Sequence, residues 1–452
     1  MSDTILPQSP SRRRFVSVAA AAVAAGSLSQ LAFAETNQAI IEVAQPSGGG
    51  DKTAIRPLRV HVPESQLIDL RRRIKATRWP DRETVMDDSQ GVPLAMIQEF
   101  ARHWATDYDW RRCEAKLNSL PNFVTEIDGL DIHFIHVRSK HENAMPLIVT
   151  HGWPGSVIEM LKIIDPLTNP TAYGASASDP FHLVIPSLPG YGFSGKPTTT
   201  GWGPERTARA WVVLMKRLGY EKFAAQGGDL GGVVANVMGK QAPPELLGIH
   251  VNFPATVPPA IAKALAAGDP PPSGLSDDEK DAYEQLGSAA RKRRAYALEM
   301  GTRPQTLYGL ADSPVALASW LLDHGDGYVQ PAAALTSAVF GRPINGESAG
   351  DLTRNDLLDD ITLYWLTNTG ISAARFYWES HFNFLAAADV SVPAAVSVFP
   401  RENYQAPRSW TERAYHNLVY YNRLDKGGHF AAWEQPQLFA EEVRAGLRPL
   451  RT

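Results

Sequence analysis

Cysteine is nearly absent from this chain, and its positive and negative charges nearly cancel. Cys113 is the only cysteine among 452 residues, which excludes an internal disulfide and any cysteine-based metal cluster. The formal net charge is −4, and a balance this close to neutral gives no reason to expect a nucleic-acid partner. The chain is long enough for one large domain, or two smaller ones, with a substantial buried core.

Long apolar runs are also lacking outside the N-terminus. There, residues 11–15 read Ser-Arg-Arg-Arg-Phe, which resembles the twin-arginine export signal, and the apolar run that follows is too short to span a bilayer. Residues 32–34 then form a small-x-small cleavage pattern before Glu35. We therefore expect a signal peptide over 1–34 and a flexible, glycine-rich linker over 35–54. The mature protein is expected to be periplasmic or secreted, without stable membrane insertion.

Hydrophobic periodicity divides the rest of the chain into three parts. Residues 55–138 carry amphipathic helical stretches and end in an alternating, strand-like segment. Residues 139–253 alternate apolar strand-like runs with helical stretches such as Val157 to Ile164, and strand patterns resume over 389–452. The helical segment 254–388 interrupts this alternation. The pattern predicts an α/β-hydrolase fold, in which a mostly parallel sheet is flanked by helices and carries a helical cap domain.

The most informative segment reads Gly-Gly-Asp-Leu-Gly over residues 227–231, between a strand-like run and a helix-like run. Small residues around a reactive side chain at a strand-to-helix turn are typical of the nucleophile elbow of α/β-hydrolases. Asp229 stands where serine is usual. A carboxylate attacks an sp3 carbon to form an ester on the enzyme, so Asp229 favours epoxides or alkyl halides as substrates over esters.

An aspartate nucleophile of this kind needs two partners. A histidine must activate the water that hydrolyses the ester, and an acid must orient that histidine. His429 lies in a Gly-Gly-His-Phe segment directly after the last strand-like run, in the chain order this fold requires. Glu402 follows the preceding strand-like run and is the predicted acid. Asp425, four residues before His429, is the alternative.

The loop after the first core strand reads His-Gly-Trp-Pro-Gly over residues 151–155. In α/β-hydrolases this position supplies one amide of the oxyanion hole, and the residue after the nucleophile supplies the second. The predicted donors are therefore the backbone N–H groups of Trp153 and Leu230. They would stabilise the tetrahedral intermediate that forms when water attacks the ester on Asp229.

With these motifs, nearly the whole mature chain resembles the microsomal-type epoxide hydrolases, which carry their own N-terminal domain. The segments that carry the resemblance are 77–81, 109–111, 127–134, 151–156, 189–194, 399–402 and 427–430. The resemblance implies an epoxide hydrolase N-terminal domain over 55–138, an epoxide and water as reactants, and neither a cofactor nor a metal. One departure is Leu230, where the family usually has tryptophan. The backbone N–H remains, but the pocket loses an aromatic wall.

The resemblance also implies two cap tyrosines that donate hydrogen bonds to the epoxide oxygen. Tyr296 and Tyr377 match these positions, with Tyr308 as the alternative to the first. Such donors are needed because ring opening generates an alkoxide. The predicted function is conversion of epoxides to vicinal diols through an ester on Asp229. Two alternatives are a haloalkane dehalogenase, for which Leu230 lacks the side-chain N–H that cradles a halide, and a non-catalytic binding protein on the same fold.

Overall fold

The structure, a computed structural model, describes most of the chain that follows the predicted signal peptide. The described residues are 40–43, 51–292, 294–323, 332–344, 346, 348–381 and 385–451. The predicted signal peptide, 1–34, lies outside these ranges, as does most of the predicted linker, 35–54. Within that linker, however, Ile41–Val43 forms a strand. The linker prediction is wrong there, because Ile41 and Val43 pack against the hydrophobic core while their backbone pairs with a neighbouring strand.

A single sheet organises the described part of the chain. Its ten strands are β1 Ile41–Val43, β2 Arg56–Val60, β3 Asn122–Ile127, β4 Leu130–Val137, β5 Met145–Thr150, β6 Phe181–Pro186, β7 Phe223–Gly227, β8 Leu246–Val251, β9 Ala394–Val398 and β10 Leu418–Arg423. They lie in the order β1-β2-β3-β4-β6-β5-β7-β8-β9-β10. Pairing is antiparallel from β1 to β6 along this order and parallel from β6 to β10. The parallel half brings the carboxyl ends of β5, β7, β8 and β9 to one edge, where such folds hold their sites.

Helices surround this sheet and fill the interval between β8 and β9. They are α1 Glu64–Lys75, α2 Leu94–Thr106, α3 Trp110–Asn118, α4 Ile164–Thr168, α5 Pro204–Arg217, α6 Asp229–Gln241, α7 Pro259–Ala267, α8 Asp277–Lys292, α9 Ala295–Thr302, α10 Gly309–Asp312, α11 Pro314–Leu322, α12 Ala332–Phe340, α13 Arg354–Thr367, α14 Gly370–Glu379, α15 Arg408–Ala414, α16 Ala431–Glu434 and α17 Pro436–Leu447. Within the described ranges, none of them combines the length and apolarity that a bilayer-crossing helix requires.

The helix predicted over Val157 to Ile164 is wrong. Turns occupy 157–160, a 3-10 turn covers Leu161–Ile163, and an α-helix begins only at Ile164. Val157, Ile158 and Met160 are all buried. Their apolar pattern therefore reflects a loop enclosed by protein on every side, and periodicity alone cannot distinguish that from a helix face.

The central strands are buried on both faces, as expected for a parallel sheet between two helical layers. Side chains alternate along β5, so Leu147 and Val149 join the cluster that contains Val443 of α17, whereas Ile148 joins the cluster that contains Val234 of α6. The apolar side chains of both faces are thereby removed from water, which holds the carboxyl edge of the sheet as a rigid platform.

The N-terminal helices support the site indirectly, through α13. Trp104 of α2 donates its indole N–H to the Thr362 hydroxyl at 2.9 Å, and the Tyr108 hydroxyl donates to Asp359 at 2.8 Å. Thr362 and Asp359 belong to α13. Tyr364 of the same helix α13 donates its hydroxyl to the carbonyl oxygen of Gly155 at 2.9 Å. The predicted oxyanion loop therefore rests on a helix that the N-terminal region holds in place.

Candidate active site

Asp229 occupies a strained turn between β7 and α6. Its backbone φ angle is 46°, a left-handed conformation that residues other than glycine rarely adopt. The turn brings the backbone so close to β5 that a Cβ on Gly231 would lie 1.9 Å from the carbonyl oxygen of Thr150. Only glycine fits there. The local sequence thus forms the sharp elbow that lifts the Asp229 carboxylate above the carboxyl edge of the sheet.

The predicted oxyanion donors both contact Asp229. The backbone N–H of Trp153 donates to Oδ1 at 2.9 Å, and the backbone N–H of Leu230 also hydrogen-bonds the carboxylate. A Cβ on Gly152 would lie 2.5 Å from the Cβ of Asp229, so glycine allows the loop to approach this closely. The two N–H groups thus bond the same carboxylate, from the two positions that supply an oxyanion hole in this fold.

His151 holds this loop in shape. Its Nδ1 lies 2.9 Å from the carbonyl oxygen of Gly152, while its Nε2 accepts the backbone N–H of Leu188 at 3.1 Å. Burial lowers its pKa to about 4, so the ring is neutral at physiological pH. Our sequence reasoning assigned His151 no role of its own; its position at the start of the oxyanion loop was the available indication.

His429 lies between two carboxylates. Its Nδ1 is 2.6 Å from Oε1 of Glu402, and its Nε2 is 3.5 Å from Oδ2 of Asp229. A parallel bridge between Arg401 and Gly428 joins the two loops, which explains why residues 27 positions apart meet. Glu402 and His429 are buried, whereas Asp425, the alternative acid, is exposed to solvent.

The two charges of this site stabilise each other. Burial alone would raise the pKa of Asp229, but the hydrogen bond and charge of His429, with the two backbone N–H groups, outweigh it and lower that pKa. Burial alone would likewise lower the pKa of His429, but the charge of Glu402 and the contact with Asp229 raise it well above its usual value. The resting site therefore holds an ionised carboxylate against an imidazolium.

Two cap tyrosines lie against the oxyanion loop. The ring of Tyr296, from α9, stacks on Trp153 at a centroid distance of 4.6 Å, and Tyr377, from α14, meets Trp153 edge-on at 5.8 Å. The tyrosine rings are 6.2 Å apart. Burial, followed by the charge of Asp229, raises the pKa of Tyr377 well above its usual value, so its hydroxyl stays protonated. Tyr308, the alternative, is 67% exposed.

With this geometry established, comparison with known proteins identifies the family. Residues 55–160 match the family described as "Epoxide hydrolase N terminus", and residues 145–293 match "alpha/beta hydrolase fold". A Stigmatella aurantiaca protein, provisionally named an epoxide hydrolase, is 48% identical over 398 residues, covering 88% of this chain and 86% of that protein. The chain belongs to the microsomal-type epoxide hydrolase family.

Further relatives of this epoxide hydrolase agree. Epoxide hydrolase 1 of Oryctolagus cuniculus is 32% identical, covering 87% of this chain and 89% of that protein. The crystal structure of juvenile hormone epoxide hydrolase from the silkworm Bombyx mori superimposes with a TM-score of 0.76 at 29% identity, covering 88% of this chain and 95% of that one. The epoxide hydrolase structure from Aspergillus niger superimposes with a TM-score of 0.72 at 31% sequence identity, covering 87% of this chain and 96% of that one. The predicted family, the α/β-hydrolase fold and the enzyme class, a hydrolase acting on epoxides, are confirmed.

Three polar residues near Asp229 of this epoxide hydrolase were missed by sequence reasoning. Glu159, Gln226 and Asn252 are buried and, together with Asp229 and His429, line one small cavity. Each lies within or directly after an apolar run, and a polar side chain in such a run was the available signal. Across the described ranges, no three His, Cys, Asp or Glu side chains cluster so that they could hold a metal ion.

Proposed function

We propose that this epoxide hydrolase opens its substrate by attack of Asp229 and releases a vicinal diol by hydrolysis of the resulting ester. The observation that carries the proposal is the position of His429. One of its ring nitrogens is 2.6 Å from Glu402 and the other is 3.5 Å from Asp229. An imidazole held in this way is oriented by one carboxylate and faces the nucleophile with its second nitrogen, as a general base for ester hydrolysis requires.

In the first step, Oδ2 of Asp229 attacks an epoxide carbon. Oδ1 accepts the N–H of Trp153, which leaves Oδ2 as the attacking oxygen. A C–O bond forms to Oδ2 while the C–O bond of the ring breaks. The ring oxygen takes a proton from Tyr377 or Tyr296. The Tyr377 hydroxyl is buried and its raised pKa keeps it protonated, so it can donate at the moment the alkoxide develops.

In the second step, water attacks Cγ of the Asp229 ester. The imidazolium of the resting site first passes its proton to the tyrosine that protonated the ring oxygen. The neutral ring of His429 then takes a proton from the water through Nε2, and Glu402 stabilises the imidazolium that forms. The negative charge on the tetrahedral intermediate lies on Oδ1, which accepts the N–H of Trp153. The N–H of Leu230, which also bonds this carboxylate, contributes to its stabilisation. The bond between Cγ and Oδ2 then breaks and the second proton of the water passes to Oδ2, so the diol leaves with Oδ2 and Asp229 keeps the oxygen of the water as an ionised carboxylate.

A single turnover in heavy-oxygen water tests this mechanism. We expect the label in the Asp229 carboxylate and not in the first molecule of diol, because water attacks the enzyme ester and not the substrate carbon. Asp229→Asn should abolish diol formation with the fold retained, since the amide is a far weaker nucleophile of nearly the same shape. His429→Gln should still be alkylated and should accumulate the ester, detected by intact-protein mass spectrometry. Label found only in the diol would overturn the covalent mechanism.

We further propose that the chain is exported through the twin-arginine pathway and cleaved before Glu35. The Ser-Arg-Arg-Arg-Phe segment and the small-x-small pattern at residues 32–34 support this. Replacement of both Arg12 and Arg13 by lysine should retain the protein in the cytoplasm, because the signal is read by a receptor and not by charge alone. Arg14→Lys is the matched control and should export normally. N-terminal sequencing of periplasmic material that still begins with Met1 would contradict the cleavage site.

A further inference from the structure

A small cavity lies beside Asp229 within the hydrolase core. Its volume is about 10 Å³, close to the ~10–15 Å³ that one water molecule needs. The lining residues come from the end of β7, from the segments that follow β5, β7 and β8, and from the chain between His429 and α17. The polar ones are Glu159, Gln226, Asn252, Asp229 and His429. The cavity therefore offers one water-sized space in contact with both the nucleophile and the base.

Gln226 provides the clearest indication of what the cavity holds. Its side-chain nitrogen donates to Oδ1 of Asn252 at 3.0 Å, but its Oε1 is buried without a hydrogen-bond partner among the described residues. A buried acceptor left unpaired costs roughly 1–3 kcal/mol, so native proteins rarely keep one unless water or a ligand satisfies it. Gln226 also sits at the end of β7, three residues before Asp229, where an acceptor can reach a molecule next to the nucleophile.

We propose that this cavity is the binding site of the hydrolytic water, and that Gln226, Asn252 and Glu159 hold that water for attack on Asp229. The inference rests on the ester mechanism proposed above. The water oxygen forms its bond with Cγ of Asp229, and one water proton passes to Nε2 of His429. The Cγ–Oδ2 bond then breaks and the second water proton passes to Oδ2, which releases the diol. The three polar side chains exchange no proton in this sequence. They position the reacting water.

Glu159 suits this role because it does not compete with His429 for the proton. Burial raises its pKa to about 8, so near neutral pH the carboxyl is largely protonated. It is held by the backbone N–H of Gly152, in the same loop that supplies the oxyanion donor. A neutral carboxyl can donate to the water or accept from it without adding a second negative charge beside the Asp229 ester.

Gln226→Met tests the site, because methionine nearly preserves the side-chain length but removes the acceptor. Rapid mixing with an epoxide separates ring opening, followed as adduct formation, from ester hydrolysis, followed as adduct decay by mass spectrometry. We expect ring opening to change by less than about 3-fold and ester hydrolysis to slow about 10- to 100-fold, the equivalent of one or two hydrogen bonds to a reacting water. The matched control is Asn236→Leu. Asn236 is another buried amide with an unpaired atom, but it lies farther along α6 and does not line the cavity. In Asn236→Leu the ratio of the ring-opening rate to the ester-hydrolysis rate should equal that of the wild type.

Glu159→Leu is the second variant, and it keeps the proposal testable if Gln226→Met fails to fold. Because burying a carboxyl is itself unfavourable, this replacement is expected to fold, and it too should slow ester hydrolysis selectively. His429→Gln, measured in parallel, separates the two levels of the argument. If His429→Gln forms no adduct, the ester mechanism is refuted. If it does form one, and the folded cavity variants hydrolyse theirs at the wild-type rate or lose both steps equally, only the water site is refuted.

Discussion

Replacing Glu402 by glutamine removes the charge behind His429 but keeps nearly the same shape. In the wild type the two groups are buried and only 2.6 Å apart, and removing one partner of such a pair typically costs about 3–5 kcal/mol. At about 1.36 kcal/mol per tenfold in rate, this predicts a loss of about 10²- to 10⁴-fold. The loss should fall on ester hydrolysis, because the imidazolium that Glu402 stabilises forms in that step.

The pH dependence provides an independent readout of the same variant. Glu402 is a main cause of the raised pKa of His429, so Glu402→Gln should lower that pKa. Ester hydrolysis requires the neutral ring, and the acid limb of its pH–rate profile should therefore move to lower pH even as the maximal rate falls. In the wild type, a raised His429 pKa contributes stability below the unfolded pKa of about 6.5, and this stability is lost as pH rises through the folded pKa. The variant should lose that contribution.

The assay is single-turnover mass spectrometry of the alkylated enzyme across pH. Asp425→Asn is the matched control, since it removes the same charge from an exposed residue four positions before His429, and both rates should stay at wild-type values. Slower ring opening with unchanged ester hydrolysis in Glu402→Gln would refute the reasoning, as would an acid limb that does not move.

Three further predictions test other parts of the site. Tyr377→Phe should slow ring opening about 10²- to 10³-fold in a single-turnover alkylation assay, the usual cost of a lost donor to a developing oxyanion, whereas Tyr308→Phe, at an exposed position, should not. Gly231→Ala should destabilise the fold by about 3 kcal/mol or more, seen as a lower denaturant midpoint, because its Cβ would meet backbone at 1.9 Å. The free energy of unfolding of wild type should fall as pH rises from 5 to 8, because the folded pKa of Glu159 is about 8 and lies above the unfolded value. Glu159→Gln lacks this titration, so its stability relative to wild type should increase by roughly 2–4 kcal/mol over that interval. A stability difference between variant and wild type that is the same at pH 5 and pH 8 in denaturation curves would contradict this.

Two predictions from the sequence were wrong because the local sequence does not show which segments other parts of the chain bury or pair with. Val157 to Ile164 has an apolar pattern typical of a helix, yet it forms turns around the oxyanion loop because the loop is enclosed by protein. Ile41–Val43 lies in a segment whose glycine-rich end suggests a linker, yet the strand forms because β2 offers it an edge. In both cases the deciding partner is far away in the chain or belongs to another element, and local composition contains no information about it.

The sequence by itself predicted attack by a carboxylate, because the elbow is a local structure. The choice of epoxides over alkyl halides came from the resemblance of the wider motifs to epoxide hydrolases. Small residues around Asp229, between a strand pattern and a helix pattern, suffice to predict a carboxylate nucleophile, and the chain order then predicts where its histidine should follow. Only the tertiary structure decided which acid reaches His429, which tyrosines face Trp153, and that Glu159, Gln226 and Asn252 share one cavity. The physical reason is that parallel strands are joined by long crossovers, so residues that meet at the carboxyl edge of the sheet come from segments far apart in the chain.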